Sequence, residues 1–174
     1  MNKLKLTALA AALISSGYVH AATTVGNVAS TQAVVNMGAQ NVTDAVWVQD
    51  SGLSGVESLA ASQKLGTLSI TATGSHDGLF ITADDSVYNG GVTNIPFKNA
   101  SGEVYFRGKI INPQKTSALI YNKASVDVSG HTGPGWELQG NAETLEIDFG
   151  SISKTNKIPA GVYTGTFYIQ QYVN

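Results

Sequence analysis

Hydrophobic and polar residues alternate with a period of two along most of this chain, and no stretch carries a convincing helical stripe. In residues 22–37 the two phases are unequal. At odd positions from 25 to 37, Val25, Ala29, Ala33, Val35 and Met37 are apolar, whereas at even positions from 26 to 36 only Val28 and Val34 are. The odd phase is therefore the expected buried face, and a slip of one residue would invert it. Strand-sized runs follow at 44–49, 65–73, 79–83, 92–97, 103–111, 118–128, 135–139 and 144–149, separated by Gly, Asn, Asp and Pro. Segment 65–73 is the best internal strand, with Leu65, Thr67, Ser69 and Thr71 on one side and Gly66, Leu68, Ile70 and Ala72 on the other. A weak helical pattern at 56–61 is the one exception. Strands of this size punctuated by turn residues predict an all-β sandwich or barrel.

The segment 161–174 reads as one long alternating strand. Tyr163, Gly165, Phe167, Ile169, Gln171 and Val173 share the better core face, opposite Val162, Thr164, Thr166, Tyr168, Gln170 and Tyr172. Lys157-Ile-Pro-Ala-Gly161 supplies a turn before it. A strand ending where the chain ends has no next strand of its own to cover its apolar face and its second ladder edge. Gly165, a missing side chain in mid-strand, predicts a bulge or the close approach of another group.

Composition narrows the setting. Lys3 and Lys5, the largely apolar run 6–14 and the small-residue exit Val19-His20-Ala21 predict a signal peptide over residues 1–21, too short for a membrane span. Its removal from the 174 residues leaves 153, enough for one domain. The remaining 8 Lys+Arg against 12 Asp+Glu argue against nucleic acid as a partner, which demands a basic face. Cysteine is absent, so an exported domain would have no disulfide to make up for a missing strand.

Several stretches resemble a known family: Val25-Gly-Asn27, Ala39-Gln-Asn41, Trp47 with Gln49-Asp50, Gly66-Thr-Leu-Ser-Ile-Thr-Ala-Thr-Gly74, Phe106-Arg-Gly108, Glu143-Thr-Leu145, and Pro159-Ala-Gly161 through Phe167-Tyr168 to Gln170-Gln-Tyr172. They are similar to the major subunits of chaperone-usher fimbriae, in particular the SEF-type fimbrial antigen and its enterobacterial colonisation-factor relatives. The resemblance implies an incomplete immunoglobulin-like β-sandwich over residues 34–174 that lacks its last strand, and a donor-strand extension over residues 22–33. It further implies that a periplasmic chaperone lends a strand beside the final one and holds the carboxylate of Asn174. Past an outer-membrane usher, the extension of an identical subunit would replace the chaperone strand in a surface fimbria. The expected donor residues are Val25, Asn27, Ala29, Thr31 and Ala33. The expected acceptor groove is Tyr163, Gly165, Phe167, Ile169, Gln171 and Val173, with Gly165 leaving room for a donor alanine. On the order of ten ladder bonds at about 1 kcal/mol net each would offset the ordering of such an arm. Binding to a host receptor fits the same scheme, since a repeating subunit presents many weak sites.

Rival readings find less support. No catalytic or phosphate-binding motif occurs, so no enzyme and no cofactor is expected. His76 and His131 stand beside turn residues and are expected in solvated loops, too few for a copper-zinc site. Asp84-Asp85 is half of a calcium site at best. Trp136 reads as core more than as a sugar-stacking platform, and the sequons at Asn41 and Asn99 carry no weight in a bacterial export product. An outer-membrane barrel would need longer strands and aromatic girdles. The alternative function is a freestanding secreted lectin-like β-sandwich.

Overall fold

The computed structural model describes residues 41–53, 56–113 and 116–174. They form strands β1 (Val42–Gln49), β2 (Ser58–Leu59), β3 (Lys64–Thr73), β4 (Gly78–Ala83), β5 (Val87–Asn89), β6 (Val92–Lys98), β7 (Val104–Ile110), β8 (Leu119–Val128), β9 (His131–Gln139), β10 (Thr144–Ser151), β11 (Thr155–Asn156) and β12 (Phe167–Tyr172). One sheet has the order β1-β3-β10-β7-β6-β5, the second β12-β4-β9-β8, and β2 pairs with β11 in a small ribbon. Every pairing is antiparallel. The larger sheets face each other as a sandwich and do not close into a barrel, so each keeps two edge strands among the described residues.

Alternation decides which side chains meet between the sheets. In β3 the phase Gly66, Leu68, Ile70 and Ala72 is buried while Thr71 and Thr73 are exposed, as the pattern predicts, except that Leu65 of the opposite phase is buried as well. β10 contributes Leu145, Ile147 and Phe149; β4 contributes Leu79 and Ile81; β9 contributes Trp136 and Leu138. Trp136 is 1% exposed and meets Phe149 edge-on at 5.5 Å, so it is a core residue. A ring edge against a ring face is the arrangement that aromatic quadrupoles prefer.

Four expectations need correction. Residues 56–61 form no helix: Ser58 and Leu59 pair with Asn156 and Thr155, which buries Leu59. The strand β5 went unpredicted, although Asn89-Gly-Gly91 is a hairpin signal; Gly90 and Gly91 take φ of 57° and 79°, the left-handed values such a tight turn requires. His76 is not solvated. Gly74, at φ 91°, turns the chain so that the imidazole tucks inward, 5% exposed, with Nδ1 donating to the Gly74 carbonyl at 3.0 Å. Finally, segment 161–174 is not one strand. Thr164 exchanges both backbone bonds with Lys98 of β6, at 2.9 and 2.8 Å, in the six-stranded sheet. Three residues later β12 begins pairing with β4 in the other sheet.

Candidate strand-acceptor site

Among the described residues β1 is an edge of the six-stranded sheet and β12 an edge of the four-stranded one, and the two edges lie on the same flank. Trp47 of β1 stacks on Phe167 of β12, with ring centres 5.8 Å apart and planes at 25°. Beneath them Phe149 forms a shared floor, 5.9 Å from Trp47 and 5.0 Å from Phe167. The alternation of β12 explains this placement. Phe167, Ile169 and Gln171 stand opposite Ala83, Ile81 and Leu79 of β4, all buried, and Phe167 and Ile169 pack on the core. All six residues of β12 are nevertheless only half-buried.

At the end where β12 begins, the flank opens into a groove of about 650 Å³ lined by Trp47, Leu53, Leu65, Phe97, Phe106 and Tyr163. Tyr163 is set by its hydroxyl, which donates to the Pro159 carbonyl at 2.7 Å, and by Phe106 at 5.3 Å. At the other end the chain is tied down. Gln171 Nε2 donates to the Thr73 carbonyl of β3 at 3.0 Å, joining the two sheets across the gap. The Asp77 amide donates to the Tyr172 carbonyl at 2.9 Å, and the Asn174 amide to Asp77 Oδ2 at 2.7 Å.

The outer face of β12 is polar and aromatic. Tyr172 stacks on Phe80 at 4.5 Å, and its hydroxyl donates to Glu137 Oε1 at 3.1 Å. Gln139 Nε2 donates to the same oxygen at 2.7 Å, and Lys123 Nζ lies 2.5 Å from Oε2. The hydrogen bond from Lys123, then that from Gln139, holds the Glu137 carboxyl below its ordinary range. Burial, reinforced by the anionic Glu137, pushes the Tyr172 phenol up to about 12. The cluster has the chemistry of a structural staple, since its carboxylate is already satisfied by three donors.

The expected donor residues Val25, Asn27, Ala29, Thr31 and Ala33 lie outside the described residues. Of the expected acceptor residues, Tyr163, Phe167 and Ile169 come together on the core side, with Gln171 in the same phase. Val173 lies past β12 and is 67% exposed, and Asn174 is likewise exposed. The space at Gly165 is taken by the chain itself: a Cβ there would stand 3.1 Å from the Pro96 carbonyl oxygen and 3.7 Å from Phe97. β6 therefore lies close to Gly165 on that side, although Gly165 itself is exposed. Sequence reading missed Trp47 as the bridge between the edges; its place in the same alternating phase as Ala45, inward in β1, was the available signal. The Asp84-Asp85 pair is divided between partners. Asp85 is bound by Lys98, whose hydrogen bond and charge hold its carboxyl low, whereas Asp84 faces the Tyr168 hydroxyl. Among the described residues no three His, Cys, Asp or Glu side chains gather in a metal-binding group.

Comparison with known proteins agrees with this architecture. The fold is similar to that of AggB, the minor subunit of aggregative adherence fimbriae type I from Escherichia coli, with 19% identity, 75% of this chain and 86% of that one covered, and a TM-score of 0.53. It is also similar to HdaB, the minor tip subunit of the Escherichia coli Hda pilus, with 13% identity, 76% and 84% coverage, and a TM-score of 0.54. These likenesses support an immunoglobulin-like sandwich. In sequence, a fimbrial protein of Salmonella enteritidis is 41% identical over 174 residues, the whole of both chains. The model of the SEF14-like adhesin family, a family of structural adhesins and not of enzymes, matches residues 3–174. The chain belongs to the SEF14-like adhesin family.

Proposed function

We propose that this protein is an exported structural subunit of a surface fimbria that polymerises by donor-strand exchange. Residues 1–21 direct export and are removed. Residues 22–33 of one subunit then lie along β12 of the next, with the odd-numbered apolar residues turned inward. Before that exchange a periplasmic chaperone covers the same edge and holds the carboxylate of Asn174, and an outer-membrane usher passes subunits to the surface. Repetition along the fibre presents many copies of each subunit to a host receptor.

The observation that carries this reading is the half-burial of β12. An edge strand whose inward side chains include Phe167 and Ile169 would normally be covered, because exposed apolar edges template association. Added strands take affinity from main-chain bonds and specificity from pockets for alternate side chains, and Trp47, which lines the groove, also stacks on Phe167 of β12.

Deleting residues 22–33 tests the reading. The expected result is a chaperone-bound subunit in near-normal periplasmic amount and no surface polymer. Fibres of ordinary abundance from the deleted subunit would overturn it.

A further inference from the structure

β8 and β9 are the strands of their sheet farther from β12, with β4 between, yet the tip of their hairpin reaches β12. It crosses at the end of β4, where the Pro134 carbonyl accepts from Thr82 Oγ1 at 2.8 Å and from Ser86 Oγ at 2.7 Å. Beyond that crossing, the amide and the hydroxyl of Ser129 both donate to Gln170 Oε1, at 3.1 and 3.3 Å. The His131 ring lies flat on Tyr168, with centres 3.5 Å apart and planes at 13°.

Local sequence explains how a hairpin folds over its own sheet. The β8–β9 register shifts between Lys123 and Val126, and such an irregularity bends a strand and increases its twist. Ser129 and Gly130 take φ of 51° and 88°, and Asp127 Oδ1 accepts the Gly130 amide at 2.9 Å, which sets the tip. Tyr168 and Gln170 alternate with Phe167, Ile169 and Gln171, so the tip rests on the outward face of β12, away from the acceptor groove.

We infer that the β8–β9 hairpin is a clamp, with Gln170 and Tyr168 as positioning residues that hold β12 in register from outside while its other edge receives a strand. Among the described residues β12 has one ladder partner, β4, and half-buried side chains, the features of a segment that opens locally at low cost. A strand that leaves β4 offers no template for addition. The clamp acts opposite the groove, so it steadies β12 without occupying the place of an incoming strand. Its role in assembly rests on the donor-strand reading; its hold on β12 does not.

The test uses the full chain expressed with its chaperone and usher, comparing Gln170→Leu, Gln170→Glu and His131→Ala with the wild type. Two quantities are read: amide hydrogen exchange of β12 relative to β10 in the chaperone-bound subunit, and surface polymer per periplasmic subunit. In Gln170→Leu, β12 exchange is expected to rise about fivefold, as for the loss of one net hydrogen bond. Polymer per subunit should fall about as much, with β10 unchanged. Gln170→Glu keeps the acceptor for Ser129 and should match the wild type. His131→Ala, at an exposed site, should move both readouts the same way by a smaller factor, and it supplies the comparison if Gln170→Leu fails to accumulate. Unchanged β12 exchange in both loss variants, or Gln170→Glu as impaired as Gln170→Leu, would overturn the clamp. Faster exchange with an unaltered polymer ratio would overturn the clamp's role in assembly. Failure of the donor-strand reading is seen separately, as polymer formed by subunits lacking residues 22–33, and the exchange measurement then still decides whether the hairpin holds β12.

Discussion

β10 and β12 carry comparable apolar side chains and contribute to the same aromatic cluster, but they stand in different surroundings. Ile147 and Phe149 of β10 are 0% exposed, between β3 and β7 in mid-sheet, whereas Phe167 and Ile169 of β12 are half-buried at an edge. The difference lies in neighbours more than in composition. A central strand is completed by its own chain on both sides. An edge strand of the same hydrophobicity keeps one ladder edge and part of its apolar face for something else. Stability and assembly should therefore separate between the two strands.

Truncating each strand's phenylalanine gives the sharpest contrast. Phe149→Ala should cost roughly 3 to 5 kcal/mol, as for a fully buried ring, and under the proposed export and assembly should strip the periplasm of subunit and the surface of polymer alike. Phe167→Ala should cost the subunit less, about 2 kcal/mol, because the ring is already partly exposed. Its polymer should fall more steeply than its periplasmic subunit. Urea unfolding of the two variants, read beside the polymer-to-subunit ratio, checks both; equal ratios would erase the distinction between core and edge.

Gly165→Val probes the boundary between the regions. The added carbons meet the backbone of β6 within the same subunit, so overpacking should cost about 1 to 3 kcal/mol whether or not a partner strand is present. Subunit and polymer should then decline together. A loss confined to the polymer would return Gly165 to the acceptor groove.

Register can be tested with little effect on the free subunit. Under the proposed exchange, Ala29→Arg places a charge in the groove and should abolish polymer, whereas Ser30→Arg points outward and should be tolerated. The reverse result would mean that the even phase faces in.

The smallest expected effect is on pH dependence, through the outer-face cluster. The folded state raises the Tyr172 phenol from 10.0 to about 12, so its contribution to stability is complete below pH 10 and is lost as pH rises through about 12. Tyr172→Phe should flatten that alkaline decline in thermal melts. Glu137 is shifted the other way, so its contribution is complete above 4.5 and is lost as pH falls through the lowered folded value. Glu137→Gln should blunt the acid decline.

Where burial follows a period of two, the structure was legible in advance. The inward phase of β3 and the side of β12 that carries Phe167 and Ile169 come from alternation between two facing sheets, which the order of residues records directly, while Trp136 was legible as a large aromatic suited to the core. What escaped depends on partners distant in sequence. Nothing near Thr164 announces that its ladder partner is Lys98, nor that Gly165 sits against Pro96. The segment therefore reads as one strand when it serves two sheets. His76 has polar neighbours in sequence and was expected in solvent, but a left-handed Gly74 turns it inward. Gln171 is a polar residue in an apolar phase, and the carbonyl it donates to comes from Thr73 of β3, 98 positions away.

The crossing of the segment between the sheets bears on how the molecule reaches this state. Thr164 cannot pair until β6 is in place, β12 cannot pair until β4 is, and the bond from Gln171 to Thr73 closes a separation of 98 positions. Contacts of such range are reached slowly, because the entropy of closing the intervening chain must be met before they contribute. The segment is thus expected to dock late in folding, and until then Phe167 and Ile169 remain in water with nothing of their own chain against them. Aggregation competes with folding during that interval, so the lifetime of the undocked segment, more than the final stability of the sandwich, sets how much subunit survives to be assembled.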